Sequence, residues 1–140
     1  MKLTFKIFIA VVLFANYSFA QTKLDPPVDV KTAFTKKYPS VTNIKWEKEG
    51  DKYEAAFKIG ERFMSVLINN TGVIEETEIQ VNETELPSAA RKYANTKGHI
   101  NEAAKIVLAD SSIHYEAEVK GKDYFFDKKG TFIESKAVKD

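Results

Sequence analysis

Side chains that could act as a nucleophile, a general base or a metal ligand are few in this chain and are not grouped. There is no cysteine and no G-x-S-x-G motif, and the two histidines are His99 and His114. Nucleophilic catalysis needs a serine, threonine or cysteine beside a base. Strand alternation puts His114 on the face opposite Tyr115, and His99 follows a helix-ending glycine. We therefore expect both histidines at the surface and predict no catalytic residue and no enzymatic activity.

Acidic residues form the densest group of candidate metal ligands. Carboxylate oxygens suit calcium, but these residues do not form a loop with ligands at alternate positions and a turning glycine. In the "DKKG" turn over 127–130, lysines occupy the would-be ligand positions. We favour the alternative, a solvated edge strand whose charges prevent further pairing, and predict neither a metal site nor a cofactor. Carboxylate pairs for acid–base chemistry arise on neighbouring strands almost anywhere and indicate no site. The acidic segment contains Glu75, Glu76, Glu78, Glu83 and Glu85.

The first twenty residues have the form of a secretory signal peptide. Two lysines precede an apolar run over 7–14, and small residues lead to Ala20; this is the order found in such leaders. A transmembrane anchor is the alternative. It needs about 18 or more apolar residues, and Asn16 and Ser18 interrupt this run. We predict export to the periplasm or secretion, with cleavage after Ala20 and no membrane insertion afterwards.

The charge balance and the lack of cysteine narrow the class of protein further. Removal of the leader takes the lysines and arginines from 21 to 19, against 20 acidic residues. Nucleic-acid binders depend on clustered basic charge, so a nearly neutral chain argues against a nucleic-acid partner. Without disulfides, an exported domain must gain its stability from buried apolar surface.

The spacing of apolar residues predicts a helix followed by four strands, and then the same order again. A polar tether over 21–29 precedes the first helix, and from about residue 41 the apolar period changes to two, as in a strand with one buried face. We predict a first unit over 30–81 and a second over 82–140. The connector 82–85 is too short and charged for a free linker. The apolar helix faces carry Val30, Ala33, Phe34 and Tyr38 in the first unit, and Leu86, Ala89, Ala90 and Tyr93 in the second.

One short phrase occurs in both units: "YEAAFK" begins at Tyr53 and "YEAEVK" at Tyr115. Other pairs recur in the same order, at offsets of 55 for Tyr38 and Tyr93 and 58 for Gly72 and Gly130. Recurrence at similar spacing is typical of structural repeats. We therefore predict an α+β fold of two tandem helix-plus-four-stranded antiparallel meanders. They are expected to share one eight-stranded sheet, with both helices on one face, as one compact domain.

These residues resemble a known family of exported proteins. The helix end "AFTKKYPSV", the strands "IKWEKEGDKYEAAF", the turn "NNTGVIEETEI" and the helix start "LPSAARKY" are similar to PepSY-like, or beta-lactamase-inhibitor-like, proteins. The resemblance covers nearly the whole chain beyond the leader. It implies an exported α+β tandem repeat. Because PepSY modules occur in protease propeptides and the namesake inhibitor binds an enzyme across its sheet, it also implies protein binding or inhibition, without naming a residue.

Aromatic placement predicts a partner-binding surface. If the helices cover one face, Phe63, Leu67 and Phe125 lie on the other, where an apolar patch would mark a protein interface. Two alternatives remain: a second copy or loops cover that face, or the register is off by one, which would exchange the two faces. The residues expected beneath the helices are Met64, Val66, Ile68, Tyr124 and Phe126.

The predicted function is a non-enzymatic binding module in the periplasm or outside the cell. It would engage another protein, and could inhibit it, through the uncovered face of its sheet. The alternative is a small-ligand carrier or sensor with a pocket between the sheet and the helices.

Overall fold

The computed structural model describes residues 24–138, so the predicted leader, its cleavage point and the first residues of the tether lie outside the described part. Helices and strands follow one another in the predicted order, with a short 3₁₀ turn at Glu83–Glu85 before the second helix. No helix among the described residues is long and apolar enough to cross a membrane. The elements are α1 Val28–Lys37, β1 Lys45–Glu49, β2 Lys52–Ile59, β3 Arg62–Asn69, β4 Ile74–Gln80, α2 Ser88–Asn95, β5 Glu102–Leu108, β6 Ile113–Val119, β7 Lys122–Asp127 and β8 Phe132–Ala137.

The eight strands form one antiparallel sheet in sequence order, β1 to β8. This confirms the predicted α+β class and the single eight-stranded sheet. Each strand is joined to the next by a tight hairpin turn, except β4 and β5, between which α2 is inserted. The β4–β5 ladder runs from Glu76 opposite Leu108 to Gln80 opposite Ala104. It joins the first four strands to the last four through backbone hydrogen bonds.

The prediction that the acidic segment is an edge strand was wrong. β4 lies inside the sheet, between β3 and β5. Charge protects an edge only where the backbone is unpaired, and here Glu76 and Glu78 project from a strand that is paired on both sides. The true edges of the sheet are β1 and β8.

Helix α1 packs through one apolar stripe on the first four strands. Pro27 stands at its N-cap and Asp29 in its first turn, while Lys36 and Lys37 end it; these charges complement the helix dipole. Phe34 is 1% exposed and meets Trp46 edge-on at 5.5 Å between ring centroids. The buried members of this cluster are Val30, Phe34, Ala55, Phe57, Val66 and Ile68.

Helix α2 approaches the last four strands closely because its buried positions carry alanine. Ala90 and Ala94 are both fully buried, whereas Ala89, expected on the buried face, is exposed. Leu86, also expected on that face, is buried but precedes the helix, which begins at Ser88. The buried members of this cluster are Leu86, Ala90, Ala94, Ile100, Ala103, Ala117, Val119 and Phe126.

Both helices lie on the same face of the sheet, as predicted. The paired residues Ala55, Val66 and Thr77 continue the row to Val107, and Val107 points to the same side as Ala103 because the two are four residues apart in one strand. Ala55 packs under α1 and Ala103 under α2. We call the opposite side of the sheet the open face.

Two turn glycines bring hairpins against the helices. Gly72 has φ +83° and Gly130 φ +87°. This left-handed region favours glycine. A Cβ on Gly72 would lie 2.8 Å from the carbonyl oxygen of Asp29 in α1, and one on Gly130 would lie 2.7 Å from the amide nitrogen of Ala90 in α2. At both positions glycine therefore permits the backbone conformation and the close contact with a helix.

Candidate binding face

The three residues predicted to bind a partner all lie on the open face. Leu67 pairs with Glu54, Phe63 with Lys58, and Phe125 with Glu116. Phe125 is 0% and Leu67 5% exposed, whereas Phe63 is partly exposed and the Lys58 Nζ lies 3.8 Å from its ring centroid. The expected helix-side residues Met64, Val66, Ile68, Tyr124 and Phe126 do pack in the helix-covered clusters. Partner binding by Phe63, Leu67 and Phe125 stays a prediction.

A third apolar cluster explains why Phe125 is buried without a helix above it. It consists of Ile106, Leu108 and Phe125, whose side chains project from β5 and β7 on the open face. The Nζ of Lys136 lies 5.3 Å from the Phe125 ring centroid. We call the side chains of Ile106, Leu108 and Phe125 the apolar floor of the open face. The charged side chain of Lys136 lies against it.

Three carboxylates are buried on this open face. Glu54 is 3%, Asp123 3% and Glu116 8% exposed. One carboxylate oxygen of each, Oε1 of Glu54, Oε2 of Glu116 and Oδ1 of Asp123, is buried without a hydrogen-bond partner. A buried carboxylate that lacks a partner is unfavourable in its charged form. Stability alone does not explain buried oxygens without partners, so these three carboxylates are candidates for a functional role.

Glu54 lies among other acids from the edge of the sheet. Burial raises the pKa of Glu54 to about 7; a hydrogen bond from Ser65 acts against this, and the nearby charges of Glu47 and Glu49 add to it. The carboxylates of Glu47, Glu49 and Glu54 have oxygens within 4.8 Å of one another, and within residues 24–138 this is the only group of three or more acidic or histidine side chains so close. The Nζ of Lys45 lies 2.6 Å from Glu47 and partly neutralises it.

A second acidic group occupies the middle of the open face. Burial raises the pKa of Glu78, and the charges of Glu54 and Glu76 raise it further. Burial likewise raises the pKa of Glu116, with the charges of Glu78 and Asp123 as further causes. Burial raises the pKa of Asp123 to about 6. In each group burial disfavours the charged form and is the largest cause of the raised pKa.

A small cavity opens among these carboxylates. Its volume is about 50 Å³, far below the ~300–1,000 Å³ of typical small-molecule sites. Such a space accommodates a single functional group or side-chain end. The polar residues that line it are Ser65, Glu78, Gln80, Glu102, Glu116 and Glu118.

A larger groove of about 720 Å³ lies at the end of α1, beside β2. It is lined by the end of α1 on one side and by β2 on the other, and it opens where β2 extends beyond β1. β1 pairs with β2 only from Lys52 to Ala56, so no strand pairs with residues 57–59 on that side. The groove is lined by Tyr38, Val41, Phe57, Ile59 and Phe63 together with lysines 37, 45 and 58.

The structure separates the residues first considered as calcium ligands. Glu75 contacts the Nζ of Lys52, and Glu85 binds Arg62 at 3.0 Å and accepts a hydrogen bond from the backbone of Asn82 at 2.9 Å. Glu83 is exposed in the 3₁₀ turn, whereas Glu76 and Glu78 project from the open face.

Among the described residues, neither histidine is part of a group of three close potential metal ligands. His114 is half-buried on the open face, opposite Asp127 and Ile106, and its Nδ1 is buried without a hydrogen-bond partner. His99 is exposed between α2 and β5.

Sequence reasoning missed the buried carboxylates, although a signal for two of them was present. Glu54 and Glu116 are the second residues of the repeated phrases "YEAAFK" and "YEAEVK". Each follows a tyrosine that points to the helix side and therefore faces the other way. A glutamate repeated at the same place in two strands could have been separated from the many surface carboxylates. Asp123 had no such signal.

Comparison with solved structures supports the fold. A protein of Bacteroides eggerthii with a provisional assignment to the periplasm matches with a TM-score of 0.68 at 17% identity, over 81% of this chain and 90% of that one. A DUF2874 family protein of Bacteroides uniformis matches with the same values.

A BLIP-like protein of Bacteroides fragilis matches with a TM-score of 0.60 at 24% identity, over 84% of this chain and 89% of that one. No protein-family model matches the chain, and no curated protein does. The descriptions of these structural neighbours name no catalytic activity. The chain thus has the fold of BLIP-like proteins, while the PepSY part of the resemblance stays a prediction.

Proposed function

We propose that this protein is an exported, non-enzymatic module that binds another protein through its open face. The observation that carries the proposal is that no described helix covers this face, although it holds three buried carboxylates that each have one oxygen without a hydrogen-bond partner. Buried polar groups normally have partners, so a surface that leaves several unsatisfied is suited to a partner that supplies them.

The surrounding apolar residues support the same proposal. Phe63 is partly exposed on the same face of β3 as Leu67, and Phe125 forms part of the apolar cluster with Ile106 and Leu108. Interfaces combine an apolar centre with polar and charged groups around it. We propose that these three residues shape the centre of the interface, with Phe63 in direct contact with the partner. Export to the periplasm and an origin as two copies of one helix-plus-meander unit belong to the same proposal.

Photo-crosslinking from chosen faces tests this function. A photoreactive phenylalanine analogue is placed at Phe63 or Glu102 on the open face, and at Lys36 or Lys92 on the exposed sides of α1 and α2. We expect discrete adducts with another protein from the open-face positions only. Adducts from all four positions, or from the helix positions alone, would contradict the proposal.

The groove beside β2 supports a second candidate, the binding of a small ligand. Its volume of about 720 Å³ lies within the range of small-molecule sites, and it joins aromatic side chains to three lysines. Native mass spectrometry of the purified chain checks this candidate, which predicts a retained small molecule. A mass equal to that of the bare chain would count against it.

A further inference from the structure

We infer that the open face recognises a basic, extended segment of its protein partner, whose arginine or lysine side chains enter a diagonal row formed by Glu54, Glu78 and Glu116. This inference rests on the proposed function and specifies the chemistry of the partner. We call these three residues the acid row.

The strand pairing places the acid row on one line. Through Leu67, Glu54 of β2 faces Glu76 of β4. Through Ala104, Glu116 of β6 faces Gln80 of β4. Glu78 lies between positions 76 and 80 of β4, and β4 lies midway between β2 and β6. Glu78 is therefore the midpoint of a straight diagonal from Glu54 to Glu116.

The spacing follows from sheet geometry. Each step in the row crosses two strands, about 10 Å, and advances two residues, about 7 Å, which gives about 12 Å between successive Cα positions. An extended chain covers about 13–14 Å in four residues, close to this spacing. A segment with a basic residue at every fourth position would thus place one positive charge at each glutamate.

Acidic side chains outnumber lysines on the open face, where the lysines are Lys45, Lys52, Lys58 and Lys136. The charge of Glu54 acts on Glu78, and that of Glu78 acts on Glu116, so the three side chains form one electrostatic group. Lys45 already contacts Glu47. A cationic group from outside would relieve this repulsion. Because the unpartnered oxygens of Glu54 and Glu116 are buried, its N–H groups would donate hydrogen bonds to them only after the neighbouring side chains move aside. Guanidinium, with five N–H donors, suits paired carboxylates best.

A metal ion is a poorer fit to the row as a whole. A calcium ion needs six to eight oxygens within about 2.6 Å of one point. Around the central cavity, Glu78, Glu102, Glu116 and Glu118 do not bring three carboxylate oxygens within 4.8 Å of one another; among the described residues only the Glu47, Glu49 and Glu54 group does. A small organic cation alone would occupy one cavity of about 50 Å³ and leave the other end of the row unpaired.

Two peptides of equal composition test the inference. Both consist of glycine and serine with three arginines; in the spaced peptide the arginines stand at every fourth position, and in the clustered peptide they are adjacent. Binding to the chain from Gln21 onward, which contains every described residue, is measured by calorimetry at low salt. We expect the spaced peptide to bind one to one and about five-fold or more tightly than the clustered peptide. Non-specific electrostatic attraction depends on total charge, which is the same for both peptides, so it cannot produce this difference. Equal affinities would overturn the inference.

Neutralised variants locate the site. Glu78→Gln with Glu116→Gln should weaken binding of the spaced peptide about tenfold or more, because two charge-assisted contacts are lost. The matched control, Glu61→Gln with Glu83→Gln, removes the same charge from exposed positions outside the open face and should change affinity by less than about twofold. An equal loss in both variants would overturn the inference.

Binding of the spaced peptide should strengthen between about pH 5 and about pH 8, because protonated carboxyls must lose protons to meet arginine. An affinity that does not change over this range would contradict the inference.

Displacement of the peptide by micromolar calcium would also overturn it, in favour of a metal site. Adducts from the open face without arginine selectivity would leave the proposed function standing and remove only this inference. The other charged and titratable groups on the open face are Glu47, Glu49 and Lys45 from β1, Lys52 and Lys58 from β2, Glu76 from β4, Glu102 from β5, Glu118 and His114 from β6, Asp123 and Asp127 from β7, and Glu134 and Lys136 from β8.

Discussion

Glu116 of β6 lies directly opposite Phe125 of β7 on the open face, and both side chains are buried, the phenylalanine fully and the glutamate to 8% exposure. The ring and its neighbours Ile106 and Leu108 keep water away from this part of the sheet. Loss of hydration disfavours the charged form of a carboxylate. The apolar floor of the open face therefore produces the raised pKa of Glu116, and the two features form a single structural unit.

Phe125 should be essential for stability. Phe125→Ala removes a fully buried ring and is expected to lower the free energy of unfolding by about 3–5 kcal/mol. Urea denaturation measures the change. Phe63→Ala is the control, because Phe63 is partly exposed on the same face and should lose less than about half as much. Similar losses for both variants would contradict the burial of Phe125.

Glu54 should destabilise the fold as pH rises. Its pKa is raised from 4.5 to about 7 by burial, so the folded state binds a proton more tightly than the unfolded state does. The contribution of Glu54 to stability is therefore greatest at low pH and is lost between about pH 4.5 and about pH 7. Glu54→Gln should raise the free energy of unfolding by about 1–3 kcal/mol near pH 8 and leave it nearly unchanged near pH 4.

Denaturation at the two pH values measures this effect. Glu61→Gln is the matched control, since Glu61 is an exposed turn residue and its replacement should shift stability equally at both. If Glu54→Gln showed the same shift at both pH values, the buried glutamate would not be the source of the pH dependence.

Gly72 and Gly130 should tolerate no side chain. Gly72→Ala and Gly130→Ala combine a positive φ with a Cβ that would lie 2.8 Å and 2.7 Å from helix backbone atoms, so each should cost about 2 kcal/mol or more. Gly60→Ala provides the control, because Gly60 has φ +60° but open space around it, and it should lose only about 1–2 kcal/mol. Thermal melts of the three variants separate the steric contact with the helix from the cost of a positive φ. Equal losses of stability in all three would exclude a contribution from the contact.

The order of elements and the two faces of the sheet could be predicted from sequence because period-two alternation fixes which side chains share a face. That argument placed Phe63, Leu67 and Phe125 opposite the helices. It could not predict that Phe125 would be buried there, since burial depends on Ile106 and Leu108 from another strand. Likewise, the charged residues of β4 indicated an edge strand, because the alternation of polar and apolar residues does not reveal whether a strand is paired on one side or on both.

Unfolding of the two halves should be a single event, as predicted for one compact domain. Trp46, the single tryptophan, packs on Phe34 under α1, so its fluorescence reports on the first half, whereas Phe126 lies under α2. The two helix-covered clusters are joined through the β4–β5 ladder, and loss of either would leave an edge of the other half unpaired. Phe126→Ala should therefore lower the Trp46 unfolding midpoint as much as the midpoint from circular dichroism. Separate midpoints would show that the halves unfold independently.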